Sequence, residues 1–417
     1  MEKTITINNK DFDINFLASW IKYTRIKKEY SQESLCHGIC SISHLSYFEN
    51  GKKTLRPEII ELLLNRLSLN IDDSITKIGH IRHKFITMAS YIEGYDHDGA
   101  KKIYEELLSI EHIISSSPYY IEFQIYTLLY NAFVEVKKYD ELKNDIEILD
   151  KIAHSLSSEL KSIYFLVTGY LMINTEFNEQ GLERLQSSLK IKNTSWTNYT
   201  LGKACCFSNS SSKGTYYLEK ALTNYENGGH YLNAIWCHNY LGVCYSNLKI
   251  YESAKIHFKA ALNSAKHFEM DELLAHIYTS ISDFYLNKGD YEKCIEWCLL
   301  GMKYPCKNRI CIYNYILANI HLKQYDKCDE MFEKHLNKSS NNKFTKSIFY
   351  FLYLVVHHFD DDLFYDEIKH NLLPYFESIK RSDIIRDVKF MFIKYLEKHR
   401  KYKEANNIYK ELLSTPF

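Results

Sequence analysis

The residues able to do chemistry are sparse, and their spacing does not assemble a catalytic set. The chain has 11 cysteines. The number is odd, the chain is long, and its first residues, Met1-Glu2-Lys3-Thr4-Ile5, lack an apolar export signal, so free thiols are expected. Cys36 and Cys40 are four apart, but no second ligand pair follows at zinc spacing. His357 and His358 precede Asp360, Asp361 and Asp362 without a helical i, i+4 ligand pair, and read as a polar loop. There is no phosphate-cradling glycine loop, no HExxH and no nucleophile elbow. Gln124 could be aimed at a phospho-aspartate, but nothing around it marks that role. The expectation is a protein that binds rather than catalyses, without cofactor or metal.

Composition narrows what must position the binding residues. Lys+Arg and Asp+Glu balance at 52 each, so any nucleic-acid site must be local. Apolar residues make up 46% and charged residues 25%, as in ordinary globular chains. With 14 glycines and 5 prolines in 417 residues, turn formers are far below the usual ~12%. Helices are therefore expected throughout. The longest apolar run, Ile348 to Val356, falls short of the ~20 residues of a membrane span. A cytoplasmic protein without membrane contact is expected.

Near the N-terminus, Ile14, Leu17, Trp20, Ile21 and Thr24 recur at helical spacing. Ser31 can cap a short second helix with Leu35 inward, and Gly38 eases the turn that follows. Ser41 can cap a third helix, Ile42 to Glu49, which Asn50-Gly51 stops. Pro57 opens a fourth. Four short helices with a tight second-to-third turn describe a helix-turn-helix unit. Between Lys22 and Arg56, seven basic residues face three acidic ones. The stretch from Ser31-Gln32-Glu33 to Leu45-Ser46-Tyr47-Phe48-Glu49-Asn50-Gly51 resembles the phage-repressor (lambda-repressor-like) form of this motif. Its shortened middle, Gly38-Ile39-Cys40-Ser41, is similar to the peptide-pheromone receptors of the RRNPP group. The resemblance implies double-stranded DNA as a partner. It implies phosphate contacts from Arg25, Lys28, Lys52 and Gln32, and base reading at the start of the third helix by Ser41, Ile42, Ser43, His44 and Tyr47.

The rest of the chain repeats. Leu241-Gly242, Tyr245, Tyr251, Ala254, Phe258 and Ala261 fit the tetratricopeptide (TPR) template. Equivalent small or core positions recur at 88, 130, 169, 202, 242, 282, 316, 352 and 393, giving about nine units. Most steps exceed the ideal period of about 34, so longer helices or loops are expected. Cys205, Cys294 and Cys298 fall at small-residue positions and read as small buried hydrophobes. The fold expected is all-α: a helix-turn-helix domain over 1–70, a linker over 71–80, and a right-handed TPR superhelix over 81–417.

A DNA-reading head joined to a repeat groove resembles the RRNPP regulators over nearly the whole chain, most of all their Npr-type members. The resemblance implies a quorum-sensing transcriptional regulator controlled by a short signalling peptide in the groove. The repeat domain would also carry oligomerisation, with a homodimer or higher oligomer on a pseudo-palindromic operator. Residues three before and one after each small position should face the groove: Tyr199 and Lys203, Asn239, and Thr279 and Asp283. Asn131, Asn314 and Asn319 are further candidates, because a carboxamide offers both donor and acceptor to a peptide unit. Trp196 and Trp236 could hold an apolar side chain. The alternative is a TPR scaffold, or a phosphorelay (response-regulator) inhibitor or phosphatase, with a vestigial head.

Overall fold

A computed structural model describes residues 14–69, 81–117, 119–173, 175, 178–207, 210–304, 308–336, 343–378 and 382–414. The expected linker, 71–80, lies outside the described residues. Every regular element among the described residues is helical. The chain divides into two compact units, Met1–Leu201 and Gly202–Phe417.

The first unit opens with α1 (Ile14–Lys27), α2 (Gln32–Cys36), α3 (Ile42–Glu49) and α4 (Pro57–Arg66). Ser31 and Ser41 are the caps that the sequence suggests: their hydroxyls accept from the backbone N–H of Ser34 and His44. Gly38 takes φ +72°, where a Cβ would be strained, and lets the chain reverse between α2 and α3. Leu17, Trp20, Ile21, Leu35, Leu45, Phe48, Leu63 and Leu64 form the apolar centre. A buried carboxylate ties three of these helices together. Glu49 of α3 takes Nε and Nη2 of Arg25 from α1 at 2.6 and 2.8 Å, and Nε2 of Gln32 from α2 at 2.8 Å. Arg25 Nη1 also reaches the Tyr30 carbonyl at 2.9 Å. Arg66 satisfies the carbonyls of Leu35 and His37 at the exit of α2.

Helix α1 does not stand free of the repeats in this unit. It packs on α8 (Tyr120–Phe133), on α9 (Tyr139–Asp150) and on a 3-10 turn, Ala153–Ser155. Tyr23 meets Tyr120 edge-on, with centroids 5.7 Å apart. Lys27 pairs with Asp145 at 2.9 Å, and Ser19 hydrogen-bonds Ser155.

Helix pairs make up the remainder. In the first unit α5 (Ile81–Glu93) packs on α6 (His97–Ser109) and α10 (Ser158–Met172) on α11 (Asn178–Ile191), while α8 and α9 follow each other in the chain and both pack on α10. Helix α12 (Ser195–Cys206) runs from the first unit into the second, where its Gly202 faces Leu218 of α13 (Ser211–Asn227). Then come α14 (Tyr231–Asn247) with α15 (Tyr251–His267), α16 (Asp271–Lys288) with α17 (Tyr291–Gly301), and α18 (Asn308–His321) with α19 (Tyr325–Leu336). Helix α20 (Lys343–His357) pairs with α21 (Asp362–Glu367) and α22 (Leu373–Ser378), which a π turn at Ile368–Leu372 joins. Helices α23 (Ser382–Lys398) and α24 (Tyr402–Ser414) end the series. Among the described residues this is nine pairs, and each of the nine marked positions sits buried in the first helix of its pair.

The long steps have identifiable causes. A short helix, α7 (Glu111–Ile114), fills the step of 42 from Met88 to Tyr130. The 3-10 turn lengthens the next. From Gly202 to Ser282 the four helices α13 to α16 run to 17 or 18 residues each. The glycines allow close approach. A Cβ on Gly202 would lie 2.6 Å from Leu218, and one on Gly242 would lie 2.6 Å from the Phe258 ring.

The Glu49 network yields a direct test of how the head is held. Glu49→Ala leaves a guanidinium in the interior with no carboxylate, so the variant should lose about 3–5 kcal/mol of head stability. Urea unfolding followed by Trp20 fluorescence reads this loss. A midpoint equal to that of the unaltered chain would contradict the role given to Glu49.

Candidate functional site

The start of α3 is a presented surface. Leu45 and Phe48 point into the head and are fully buried, which turns the intervening positions outward. Ser41, Ile42, Ser43, His44 and Tyr47 are all exposed. Ile42 is 47% exposed and Tyr47 is 50% exposed, much apolar area for a helix of eight residues. Lys52 is exposed just beyond, with Lys53 and Arg56 beside it. The structure thus brings together the whole group of candidate base-reading residues with a basic fringe.

Three of the candidate phosphate contacts are otherwise engaged. Arg25 and Gln32 commit their polar ends to Glu49. Lys28 donates to the Leu67 carbonyl at the end of α4. Sequence alone could not reveal this, because Glu49 lies 24 residues from Arg25 and no periodicity links the two.

The groove candidates divide between the two units. In the first, Asn131 is half-buried on α8. Trp196 packs against Phe133 at 5.2 Å, and Phe133 stacks on Tyr170 at 4.2 Å. The Tyr199 hydroxyl meets that of Tyr95 at 3.0 Å.

In the second unit, Lys203 lies over the Tyr240 ring at 5.4 Å. Trp236 stacks on Tyr240 at 5.9 Å and meets His276 edge-on at 5.0 Å. Trp236, Asn239, Tyr240 and Val243 follow the i, i+3, i+4, i+7 spacing of one helix face. Asn239 is only 2% exposed, and its Oδ1 is buried with no hydrogen-bond partner in the chain. Asn319 Oδ1 is likewise buried and unpaired, while its Nδ2 donates to the Tyr315 carbonyl at 2.8 Å. Asn314 donates to Ser282 and Asp283, both at 3.0 Å. Thr279 bonds back to the Ala275 carbonyl at 2.8 Å and touches Cys311 Sγ at 3.2 Å.

Tyr240 and His276 belong to this cluster without having been expected. His276 had a signal in the sequence: it stands six before Ser282, as Trp196 and Trp236 stand six before Gly202 and Gly242. Tyr240 had only its i+4 relation to Trp236.

Other candidate chemistry is dispersed. His357 Nε2 lies 2.7 Å from Asp329, and His358 Nδ1 lies 2.9 Å from Asp361, the cap of α21. Among the described residues, no group of three or more His, Cys, Asp or Glu side chains could hold a metal ion. No described helix is long and apolar enough to cross a membrane.

No protein-family model matches the chain. A curated relative, the transcriptional activator NprA of Geobacillus stearothermophilus, is 22% identical over 399 residues. The match covers 90% of this chain and 97% of that protein. Among solved structures, the apo form of the quorum sensor NprR from B. thuringiensis superposes with a TM-score of 0.63 at 17% identity, over 81% of this chain and 98% of that one. NprR in complex with its cognate peptide NprX gives 0.59 at 17% identity, over 80% and 98%. A Rap protein complexed with the Competence and Sporulation Factor gives 0.68 at 12% identity, over 80% and 97%. The chain is thus similar almost end to end to a transcriptional activator and shares a fold of stacked helix pairs with the quorum sensor NprR and a Rap protein.

Proposed function

We propose that the chain is a transcriptional regulator whose head, residues 1–70, reads duplex DNA and whose repeats, residues 81–417, hold a short signalling peptide and carry oligomerisation. The observation that carries this reading is the exposed row from Ser41 to Tyr47, held outward by Leu45, Phe48 and Glu49. A side-chain row of this kind at the N-terminal end of a recognition helix suits base edges in a major groove. Lys52, Lys53 and Arg56 supply charge for the flanking phosphates. One head covers only a few base pairs, so a homodimer on a pseudo-palindrome follows, with half-sites about 34 Å apart or a multiple of that. The relatives support the reading: one is named a transcriptional activator, and another was solved with its cognate peptide.

The second unit offers peptide-binding chemistry. An extended peptide brings backbone N–H groups that need acceptors. Asn239 Oδ1 is an acceptor already removed from water and still unpaired. Lys203 can meet a carboxylate, and the stacked Trp236 and Tyr240 form a flat apolar wall.

Gel shifts on the protein's own upstream DNA and on random duplex test the head. His44→Ala and Ser43→Ala should each lower preference for the specific site by about 1–3 kcal/mol while leaving random-duplex binding near its original level. Lys52→Ala should weaken both alike and reduce the salt slope by about one counterion. Equal losses on both duplexes for all three changes would remove base reading from α3.

For the repeats, titration calorimetry against short synthetic peptides encoded beside the gene is decisive. Asn239→Ala should weaken the binding peptide by about 5- to 150-fold, since a desolvated peptide group then lacks its partner. Its DNA affinity without peptide should be unchanged. Unaltered peptide affinity would move the site to other repeats.

A further inference from the structure

Two buried thiols stand against each other between successive repeats. Cys206 ends α12, and Cys244 lies in α14, so each belongs to the first helix of its pair. Their Sγ atoms are 2.9 Å apart. Gly214 of α13 leaves the space that Cys244 occupies: a Cβ there would lie 2.7 Å from its sulfur. Cys206 Sγ also rests 3.3 Å from the Gly202 carbonyl and 3.6 Å from that of Tyr240. Asn247 Nδ2 pins the same corner by donating to the Cys206 carbonyl at 2.9 Å. A second close thiol pair among the described residues, Cys294 and Cys298 at 3.9 Å, lies on a single helix and would join no two elements.

We propose that Cys206 and Cys244 are a redox pair that hydrogen peroxide closes into a disulfide, locking α12 to α14. One thiolate attacks the peroxide: an S–O bond forms, the O–O bond breaks, and hydroxide leaves to take up a proton as water. The second thiol then attacks that sulfur: the S–S bond forms, the S–O bond breaks, and a second water leaves. Two thiols lose two hydrogens and two electrons, and one peroxide becomes two waters. The sulfurs need only close from 2.9 Å to the bond length of about 2.0 Å.

Burial, then the contact with Cys244, pushes the Cys206 thiol well above its ordinary range, while Lys203 one turn earlier acts in the opposite sense. Thiolate is therefore scarce, and closure should speed up as pH rises. Burial also favours a small oxidant over a bulky disulfide such as oxidised glutathione. The lock fixes the turns that carry Lys203 and Tyr240, next to Asn239. That effect on the groove rests on the peptide reading, whereas the disulfide does not, so the two can fail separately.

The test uses the full chain, reduced, freed of reductant and exposed to hydrogen peroxide. Free thiols are then alkylated in denaturant, and the digest is mapped by mass spectrometry. The expected product is one pair of peptides joined through Cys206 and Cys244, released by dithiothreitol. It should be lost in Cys206→Ser and in Cys244→Ser and retained in Cys205→Ser. Oxidised protein should also melt above reduced protein. Both thiols remaining alkylatable, a different pairing, or sulfinic acid at Cys206 in place of the cross-link would overturn the proposal. The map of the unaltered protein decides this even where a serine variant fails to fold.

Discussion

The architecture depends on how closely two antiparallel helices can approach. Gly169, Gly202 and Gly242 each face the partner helix where a methyl group would collide with Leu185, Leu218 or Phe258. Removing one Cβ lets the partner's large side chain fill the space, so the pair packs at interior density with a single small-to-large step. Once that distance is set, the first helix of each pair has one face committed to its partner and another left for neighbours and groove. The face that holds Trp236, Asn239, Tyr240 and Val243 exists because Gly242 commits the adjoining face to Phe258.

The head solves a different problem. It is small, its helices are short, and α3 must show its first turn to solvent. Apolar contacts from Leu45 and Phe48 set the rotation of α3. The Arg25–Glu49–Gln32 network sets its position against α1 and α2. Such a buried charge contributes little net stability, because desolvation offsets attraction, but it penalises any arrangement that separates the partners. The same α1 touches α8 and α9 through Tyr23 and Lys27, so the placement of α3 and the packing of the early repeats share one element.

The second unit carries polar atoms in places that are poor for stability and suited to recognition. Unpaired carboxamide oxygens at Asn239 and Asn319 each carry a desolvation cost in the isolated chain. On the same helix face as Asn239, Tyr240 carries Lys203 over its ring and Trp236 stacks on Tyr240 and meets His276, so charge and a flat apolar surface adjoin the carboxamide.

Sequence alone determined the helical class, the four-helix head with its Ser31 and Ser41 caps, and the nine units with their small or core positions. Each of these rests on local spacing or on a repeat that restates itself every few tens of residues. The resemblance of the motif pointed to Ser41, Ile42, Ser43, His44 and Tyr47, and the inward packing of Leu45 and Phe48 is what leaves those five exposed. Tertiary structure alone decided which polar groups were still available. Arg25, Gln32 and Lys28 looked like phosphate contacts, but Glu49 and the Leu67 carbonyl hold them. Asn314 and Asn239 looked alike, but Asn314 donates to Ser282 and Asp283 while the Asn239 oxygen has no partner. Pairing across tens of residues leaves no periodic trace in a single chain, since a hydrogen bond depends on where two side chains end in space and not on their spacing in sequence.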